Sequence, residues 1–415
     1  MNGRKNRDMI SQKRKIGTIR RLGGGAFSQE NGEGKAVQLV EKMIAYARKS
    51  HASDIHIEPF DDMVRIRMRM DGSLTEYARL EKGLHPTVTA RVKILAGMDI
   101  AEHRIPQDGH FQIELEGCLI NMRVSAVPTV FGEKVVIRLL TSENTIDHAD
   151  TFGMEEQNYQ VIRHLLDAPN GLLYLTGPTG SGKTTTLYMI LEFLAGRPVN
   201  IATIEDPVEK YLPGVCQCQV NYPAGFGFET GLRALLRQDP DIIMVGETRD
   251  RETAAISMRA AITGHLVLST LHTNDAVAAI PRLRDIGMES YQIAGALLGI
   301  AAQRLLRKLC PFCAREEETT KEERRILGAG TVKIRRPVGC PRCSDTGYRG
   351  RTAIHQILPM DRNLRAMISR DAGEEEIRKY AEEELGMPSL KEQAAKLVRE
   401  GITSFEEYRN AVYHE

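Results

Sequence analysis

Several things are missing from this 415-residue chain. Tryptophan is absent, and aromatic residues make up only 5%. Single-stranded nucleic acid is gripped by stacking bases on aromatic side chains, and this composition offers few such platforms. Net charge is also nearly missing, at +1. A dedicated nucleic-acid binder carries a marked basic excess, so no nucleic-acid partner is expected. No apolar run is long enough to span a membrane, and no secretory apolar stretch follows the basic start. The expected location is the cytoplasm. Disulfides are not expected either. The seven cysteines are an odd number, and four of them fall into two C-x-x-C pairs, which suits a metal site better than a disulfide framework.

What is present is an ordinary soluble composition, 42% hydrophobic and 27% charged, with length for two or three domains. Residues 1–21 carry eight Lys or Arg against Asp8, and Gly23, Gly24 and Gly25 follow. Residues 1–35 therefore read as a basic flexible tail, either simply solvated or drawn to anionic lipid. From residue 36 the pattern is structured. Val37, Val40, Ile44 and Ala47 have helical spacing. Val64–Met70 alternates apolar residues with Arg65, Arg67 and Arg69, a half-buried strand with an arginine face that turns at Asp71-Gly72. A hairpin over Phe111–Val127 and a strand over Val135–Leu140 complete an α+β domain at 36–142, and residues 143–152 read as a linker.

Beyond the linker, short apolar strands alternate with helical segments: Gly171–Thr176, Lys183–Leu194, Asn200–Ile204, Ile242–Val245 and Leu266–Thr270. That alternation predicts an α/β fold, a parallel sheet with helices on both faces, over 153–308. The cysteines occupy 309–359. A charged helical region fills 360–415, where Ser389-x-x-Glu392 and Ser404-x-x-Glu407 have capping-box spacing.

Residues 177–184 read Gly-Pro-Thr-Gly-Ser-Gly-Lys-Thr, between a strand and a helix. Such a loop turns its backbone N–H groups onto phosphate oxygens, and the helix start adds a positive end. Lys183 then neutralises the β- and γ-phosphates, and the Thr184 hydroxyl meets Mg2+. Gly177, Pro178, Thr179, Gly180, Ser181, Gly182, Lys183, Thr184 and Thr185 are the candidate nucleotide-binding residues. Thr203–Glu209 places Glu205, Asp206 and Glu209 at a strand end. There a carboxylate can orient or deprotonate water, or the stretch is merely a solvated acidic turn. Asp241–Glu247 is an apolar strand running out to an acid, the arrangement that holds Mg2+ beside a phosphate loop. His265 and His272 bracket another strand and serve either the γ-phosphate or the local structure.

Cys310-x-x-Cys313 and Cys340-x-x-Cys343 lie 26 residues apart. Four thiolates suit a closed tetrahedral Zn2+ site, and a redox dithiol is the other reading. Cys118, Cys216 and Cys218 stand outside the pairs as packing residues.

These motifs, in this order, resemble the secretion ATPases of the type II secretion and type IV pilus assembly superfamily. The likeness extends over most of the chain after residue 36. It includes Ala52–Pro59, Arg104-Ile105-Pro106-Gln107-Asp108-Gly109, Arg123-Val124-Ser125, Gly132-Glu133-Lys134, Ala302–Leu305 and Gly350-Arg351-Thr352. The resemblance implies a RecA-like P-loop core behind a PAS-like N-terminal domain, ATP and Mg2+ as ligands, and a hexameric ring. It places Glu205 as the general base, Glu247 as the Mg2+-associated acid, and His265 and His272 in a histidine box. Arg104, Arg123 and Arg138 become the N-terminal arginines that close on the phosphates. It also implies peripheral association with the inner face of the plasma membrane. There a polytopic platform protein would add pilin or pseudopilin subunits to a fibre. The four cysteines favour assembly or secretion over retraction. His110 and Gln356 depart from the family pattern, which has Arg and Glu there. The short segment before residue 36 is like that of compact competence-pilus or Gram-positive-type members. The competing function is a nucleic-acid-dependent RecA-like motor.

Overall fold

The structure is a computed structural model and describes residues 32–115, 118–140 and 151–412. Residues 1–31 of the basic tail and most of the linker stretch lie outside the described residues, as does the side chain of Cys118, whereas residues 32–35, expected in the tail, open the first helix.

The N-terminal domain opens with α1 (Gly32–Lys49) and continues through β1 (Ala52–Pro59), β2 (Met63–Met70), β3 (Ser73–Glu81), α2 (His85–Ala96), β4 (Gln107–Leu115), β5 (Cys118–Thr129) and β6 (Gly132–Leu140). The strands form one antiparallel sheet in the order β3-β2-β1-β6-β5-β4. Strand periodicity of two sends alternate residues to opposite faces. Val64, Ile66 and Met68 join Ile55, Ile57, Val124 and Ile137 in a core with Val40 and Ile44 of α1 and Val88 and Val92 of α2. Arg65, Arg67 and Arg69 therefore lie on the sheet face turned away from that core, as the alternation predicted.

The second domain contains α3 (Glu156–Leu166), β7 (Gly171–Thr176), α4 (Lys183–Leu194), β8 (Ile201–Glu205), β9 (Val215–Gln219), α5 (Phe228–Leu235), β10 (Ile242–Val245), α6 (Arg251–Ile262), β11 (Leu266–Leu271), α7 (Ala279–Asp285), α8 (Ser290–Ala296) and β12 (Leu297–Leu309). Strands β12-β7-β11-β10-β8-β9 run parallel, and β15 (Tyr348–Pro359) adds an antiparallel edge beside β12. The predicted parallel sheet with covered faces is thus present. Ile243 and Val245 pack with α5, α6 and α8 on one face, and Ile242 and Met244 pack with α3 and α4 on the other. Double-sided burial explains why these strands read as continuous apolar runs rather than as alternation.

Between β12 and β15 the chain makes a small excursion containing β13 (Arg315–Glu318), α9 (Lys321–Leu327) and β14 (Lys333–Arg336). Four helices end the chain: α10 (Arg362–Ser369), α11 (Glu374–Glu383), α12 (Leu390–Arg399) and α13 (Phe405–Val412). Ser389 and Glu392 complete a reciprocal capping box at α12. At α13 only half of the expected box forms. Ser404 Oγ accepts from Glu407 N at 3.2 Å, but the Glu407 carboxylate turns to the Arg307 guanidinium, with Nη2 at 2.7 Å.

The two domains meet where the β2–β3 turn touches the large sheet. Arg307 Nη1 donates to Ser73 Oγ at 2.9 Å, and Gly350 N donates to Asp71 Oδ2 at 3.2 Å. Removing a core methylene cluster from the second domain should unfold it first. Ile243→Ala is expected to cost about 2–5 kcal/mol, read as a lower thermal midpoint with the far-ultraviolet circular dichroism of the folded protein unchanged.

Candidate functional site

The phosphate loop leaves β7 at its C-terminal end and enters α4 directly. Gly177 and Gly182 have φ of 147° and 87°. Both also lie against Gln303 of β12: a Cβ at Gly177 would stand 2.4 Å from the Gln303 carbonyl oxygen, and one at Gly182 would stand 2.8 Å from Gln303 Nε2. Only glycine fits either place. Gln303 also fastens the loop by donating to Ser181 O at 2.9 Å and accepting from Thr186 Oγ1 at 2.9 Å. Lys183 folds back over the loop, its Nζ donating to Gly177 O at 2.8 Å and Pro178 O at 3.1 Å. Burial pushes its ammonium down to about 8, with Glu247 opposing and Arg304 adding to the shift. An ammonium so placed gains most from an incoming phosphate, because an anion offsets the cost of its desolvation.

The acids come from neighbouring strand ends. Glu247 follows β10 and pairs with Arg249 Nε at 2.5 Å and with His272 Nε2 at 3.8 Å. His272 is itself held below its ordinary pKa, first by burial and then by Lys183, so it stands neutral beside the loop. Lys183, Glu247 and His272 are therefore gathered together. Glu205, the last residue of β8, is buried. It accepts from the Tyr188 hydroxyl, from Thr203 Oγ1 at 2.5 Å and from Gln217 Nε2 at 3.2 Å. Three donors fix the orientation of this carboxylate. Four residues on, Glu209 is exposed. Crowding by surrounding protein and the charge of Glu205 push its carboxyl above the usual range, while Arg138 and Arg123 pull the other way.

That pull brings the N-terminal domain within electrostatic reach of the acids. Arg69, Asp54, Arg138, Arg123 and His110 are cross-strand partners on β2, β1, β6, β5 and β4, so they form one row across the sheet. Arg138 Nε meets Asp54 Oδ1 at 2.9 Å, and Asp54 Oδ2 lies 3.7 Å from Arg69 Nε. His110 ends this row beside Arg123. Arg104 is placed differently: its side chain is 86% exposed and is held by Glu102, with Nη2 at 2.6 Å from Oε2. A cavity of about 1160 Å3 opens between the domains, with Tyr46 and His51 on one wall and Gly182, Thr185 and Gln303 on the other.

His265 lies elsewhere. It immediately precedes β11, whose first residue pairs with Gly171 and whose last pairs with Thr176. The phosphate loop leaves the far end of that pairing, six residues and roughly 20 Å away. His265 Nδ1 lies 3.0 Å from Ala260 O, at the end of α6. A residue before a parallel strand occupies the edge opposite the phosphate loop, which the sequence motif alone does not convey.

Residues 29–410 match the family described as "Type II/IV secretion system protein". The "Type II secretion system ATPase E" of Vibrio cholerae is 45% identical over 374 residues, 89% of this chain and 74% of that protein. The chain belongs to the type II/IV secretion system protein family. With its intact phosphate loop and strand-end acid, it is an ATP-hydrolysing member. The "Type IV pilus assembly ATPase PilB" of Thermus thermophilus is 44% identical over 380 residues, 90% of this chain but 43% of that protein. Among solved structures, the pilus retraction motor PilT with bound ADP matches with a TM-score of 0.60 and 25% identity, covering 89% of this chain and 96% of PilT. The Legionella pneumophila ATPase DotB matches in fold, with a TM-score of 0.66, 21% identity and coverage of 91% and 96%.

This family member also carries a metal-shaped cluster. The sulfur atoms of Cys310, Cys313, Cys340 and Cys343 all lie within 4.8 Å of one another, with neighbours at 3.7, 3.8 and 3.9 Å. Tetrahedral Zn2+ with its usual bond to sulfur requires sulfurs about 3.8 Å apart, so the donor set fits. Burial raises the Cys343 thiol, but N–H groups of Cys340 and Gly347, each 3.2 Å from its sulfur, bring it below its ordinary value. Cys216 and Cys218 lie apart from this cluster, on β9.

The side chains that hold Glu205 and the phosphate loop were not legible from spacing. Tyr188 sits in mid-helix, and Gln303 and Gln217 are ordinary amides. Glu209 alone had a signal, as the last acid of the strand-end motif. The purified protein is expected to hold about one zinc per chain by elemental analysis. Cys343→Ser should lose that metal and melt at a lower temperature, since structural zinc contributes directly to folding.

Proposed function

We propose that this protein hydrolyses Mg2+–ATP in the crevice between its two domains and uses the closure to drive assembly of a secretion pseudopilus or type IV pilus. One observation carries the reading: Lys183, Glu247 and His272 are gathered at the phosphate loop of a chain whose family match runs over residues 29–410. Residues 177–182 and Thr185 cradle the phosphates, and Lys183 leaves its loop carbonyls for them. Thr184 and Glu247 would hold Mg2+, which would supply charge screening at the phosphates. Glu205, fixed by its three donors, orients the attacking water and takes its proton. His272 reports on the γ-phosphate from beside Glu247. His265 takes no part at its own chain's phosphates.

Arg123 and Arg138 stabilise the transition-state charge only when the domains approach, and Arg104 joins them on closure. This makes hydrolysis and movement one event. The chain would work as a homohexameric ring at the cytoplasmic face of the inner membrane, acting on a polytopic platform protein and through it on pilin-like subunits. No helix among the described residues is long and apolar enough to cross a membrane, so a membrane partner would have to be reached at its surface. Assembly rather than retraction follows from the higher identity to proteins named for secretion and pilus assembly, at 44–45%, than to the retraction motor, at 25%. The zinc cluster serves as structure, because four closed ligands leave no position for substrate.

Phosphate release by the full-length protein tests this. Lys183→Ala should abolish turnover. Glu247→Gln and Glu205→Gln should lower kcat by about 100-fold or more while a fluorescent ATP analogue still binds. Arg123→Ala combined with Arg138→Ala should lower kcat by about 10–1000-fold. Wild-type turnover in the arginine double variant would remove the closure step.

A further inference from the structure

The loop between α2 and β4 carries Arg104, and it rests on charges that the reaction itself does not use. Lys93, in the last turn of α2, has no exposed surface. Its Nζ forms an ion pair with Glu133 Oε1 at 2.6 Å, and Glu133 is 4% exposed. The other Glu133 oxygen meets His103 Nδ1 at 2.6 Å. His85, at the start of α2, meets the Glu133 carbonyl oxygen through Nε2 at 2.8 Å, which ties β6 to that helix.

An ion pair withdrawn from water adds little net stability compared with apolar residues of the same volume. What such a pair supplies here is direction. Lys93 Nζ also donates to the Glu102 carbonyl oxygen at 2.6 Å, where Gln107 Nε2 donates as well at 2.8 Å. The Glu102 carboxylate in turn accepts from Arg104 N at 2.7 Å, Nε at 3.0 Å and Nη2 at 2.6 Å. From Glu133 to the guanidinium there are thus three successive polar contacts, through Lys93 and Glu102. His103, the neighbour of both loop residues, is pinned by the same carboxylate.

We propose that Lys93, Glu133 and His103 are positioning residues for Arg104, fixing the loop so that an otherwise solvent-exposed guanidinium is presented in one direction for a nucleotide phosphate. The inference rests on the proposed role of Arg104 as a phosphate-closing arginine. A displacement of about 1 Å in such a group costs on the order of 100-fold in rate, so a rigid base beneath an exposed side chain has a kinetic effect that its stability contribution does not reveal.

The test measures kcat, affinity for a fluorescent ATP analogue and thermal midpoint on the full-length protein. Arg104→Ala should lower kcat at least tenfold with affinity within about twofold. Glu133→Gln should lower kcat about tenfold, again with affinity retained. Lys93→Met with Glu133→Leu removes both buried charges, leaves the exposed His103 ring to water and leaves Gln107 as donor to the Glu102 carbonyl, so it guards against a variant that simply fails to fold. It should melt close to wild type yet show the same loss of kcat. Joined to Arg104→Ala, either change should add nothing, because residues acting through one group are non-additive. Multiplying losses, or a well-folded Lys93→Met/Glu133→Leu protein with wild-type kcat, would overturn the proposal. Normal turnover by Arg104→Ala would overturn it too, while leaving the Lys183 and Glu247 reading of the ATPase untouched.

Discussion

Everything at this site depends on how closely β12 approaches the phosphate loop. The backbone oxygen and side-chain amide of Gln303 occupy the space where side chains at 177 and 182 would begin. The same amide holds Ser181 and Thr186. The loop is thereby fixed in a shape whose N–H groups converge, and the cost of arranging them is met during folding rather than during binding. Lys183, at the join of this loop and α4, inherits its position from that contact. If β12 moved away, the loop would lose both its back wall and its tether.

The proposed catalytic groups are divided between two bodies, and the division has a physical logic. Lys183, Glu247 and His272 sit on a sheet buried on both faces, which moves little. Arg123 and Arg138 lie on a different sheet and Arg104 on the loop before β4, and acids already partner two of the three: Asp54 beside Arg138, and Glu102 beside Arg104. These acids keep the guanidinium groups ordered and partly neutralised when no phosphate is near. A phosphate must compete with a carboxylate for each arginine, so closure is a balance between two anionic partners rather than a free gain.

Much of this architecture was legible from spacing. Gly171–Thr176, Lys183–Leu194 and Ile242–Val245 have in the fold the limits their hydrophobic pattern gave them, because strands covered on both faces are apolar throughout and end where turns begin. The arginine strand at Val64–Met70 was equally plain, since one face of it is solvent or cleft. β12 was not. Its sequence, LLGIAAQRLLRKL, is rich in helix formers, and it becomes a strand only because β7 and β15 flank it. Position along a strand was also lost in the sequence. His265 and His272 bracket the same strand, yet only His272 ends on the phosphate side. The partners of Glu205 were invisible for a third reason: Tyr188 and Gln217 reach it from a helix and an edge strand whose proximity is purely tertiary.

The four-cysteine excursion begins where β12 ends and finishes where β15 starts, with Leu309 and Tyr348 already paired across it. It is therefore the loop of a long hairpin, drawn shut at its neck by sulfur. The stretch beyond that neck is not a free appendage: Leu327 of α9 and Ile334 of β14 share a buried core with Leu306 of β12, Ile354 of β15 and Leu390 and Val398 of α12. Exchanging it for a different surface would unpack Leu306 and Ile354, and so reach the strand that backs the phosphate loop.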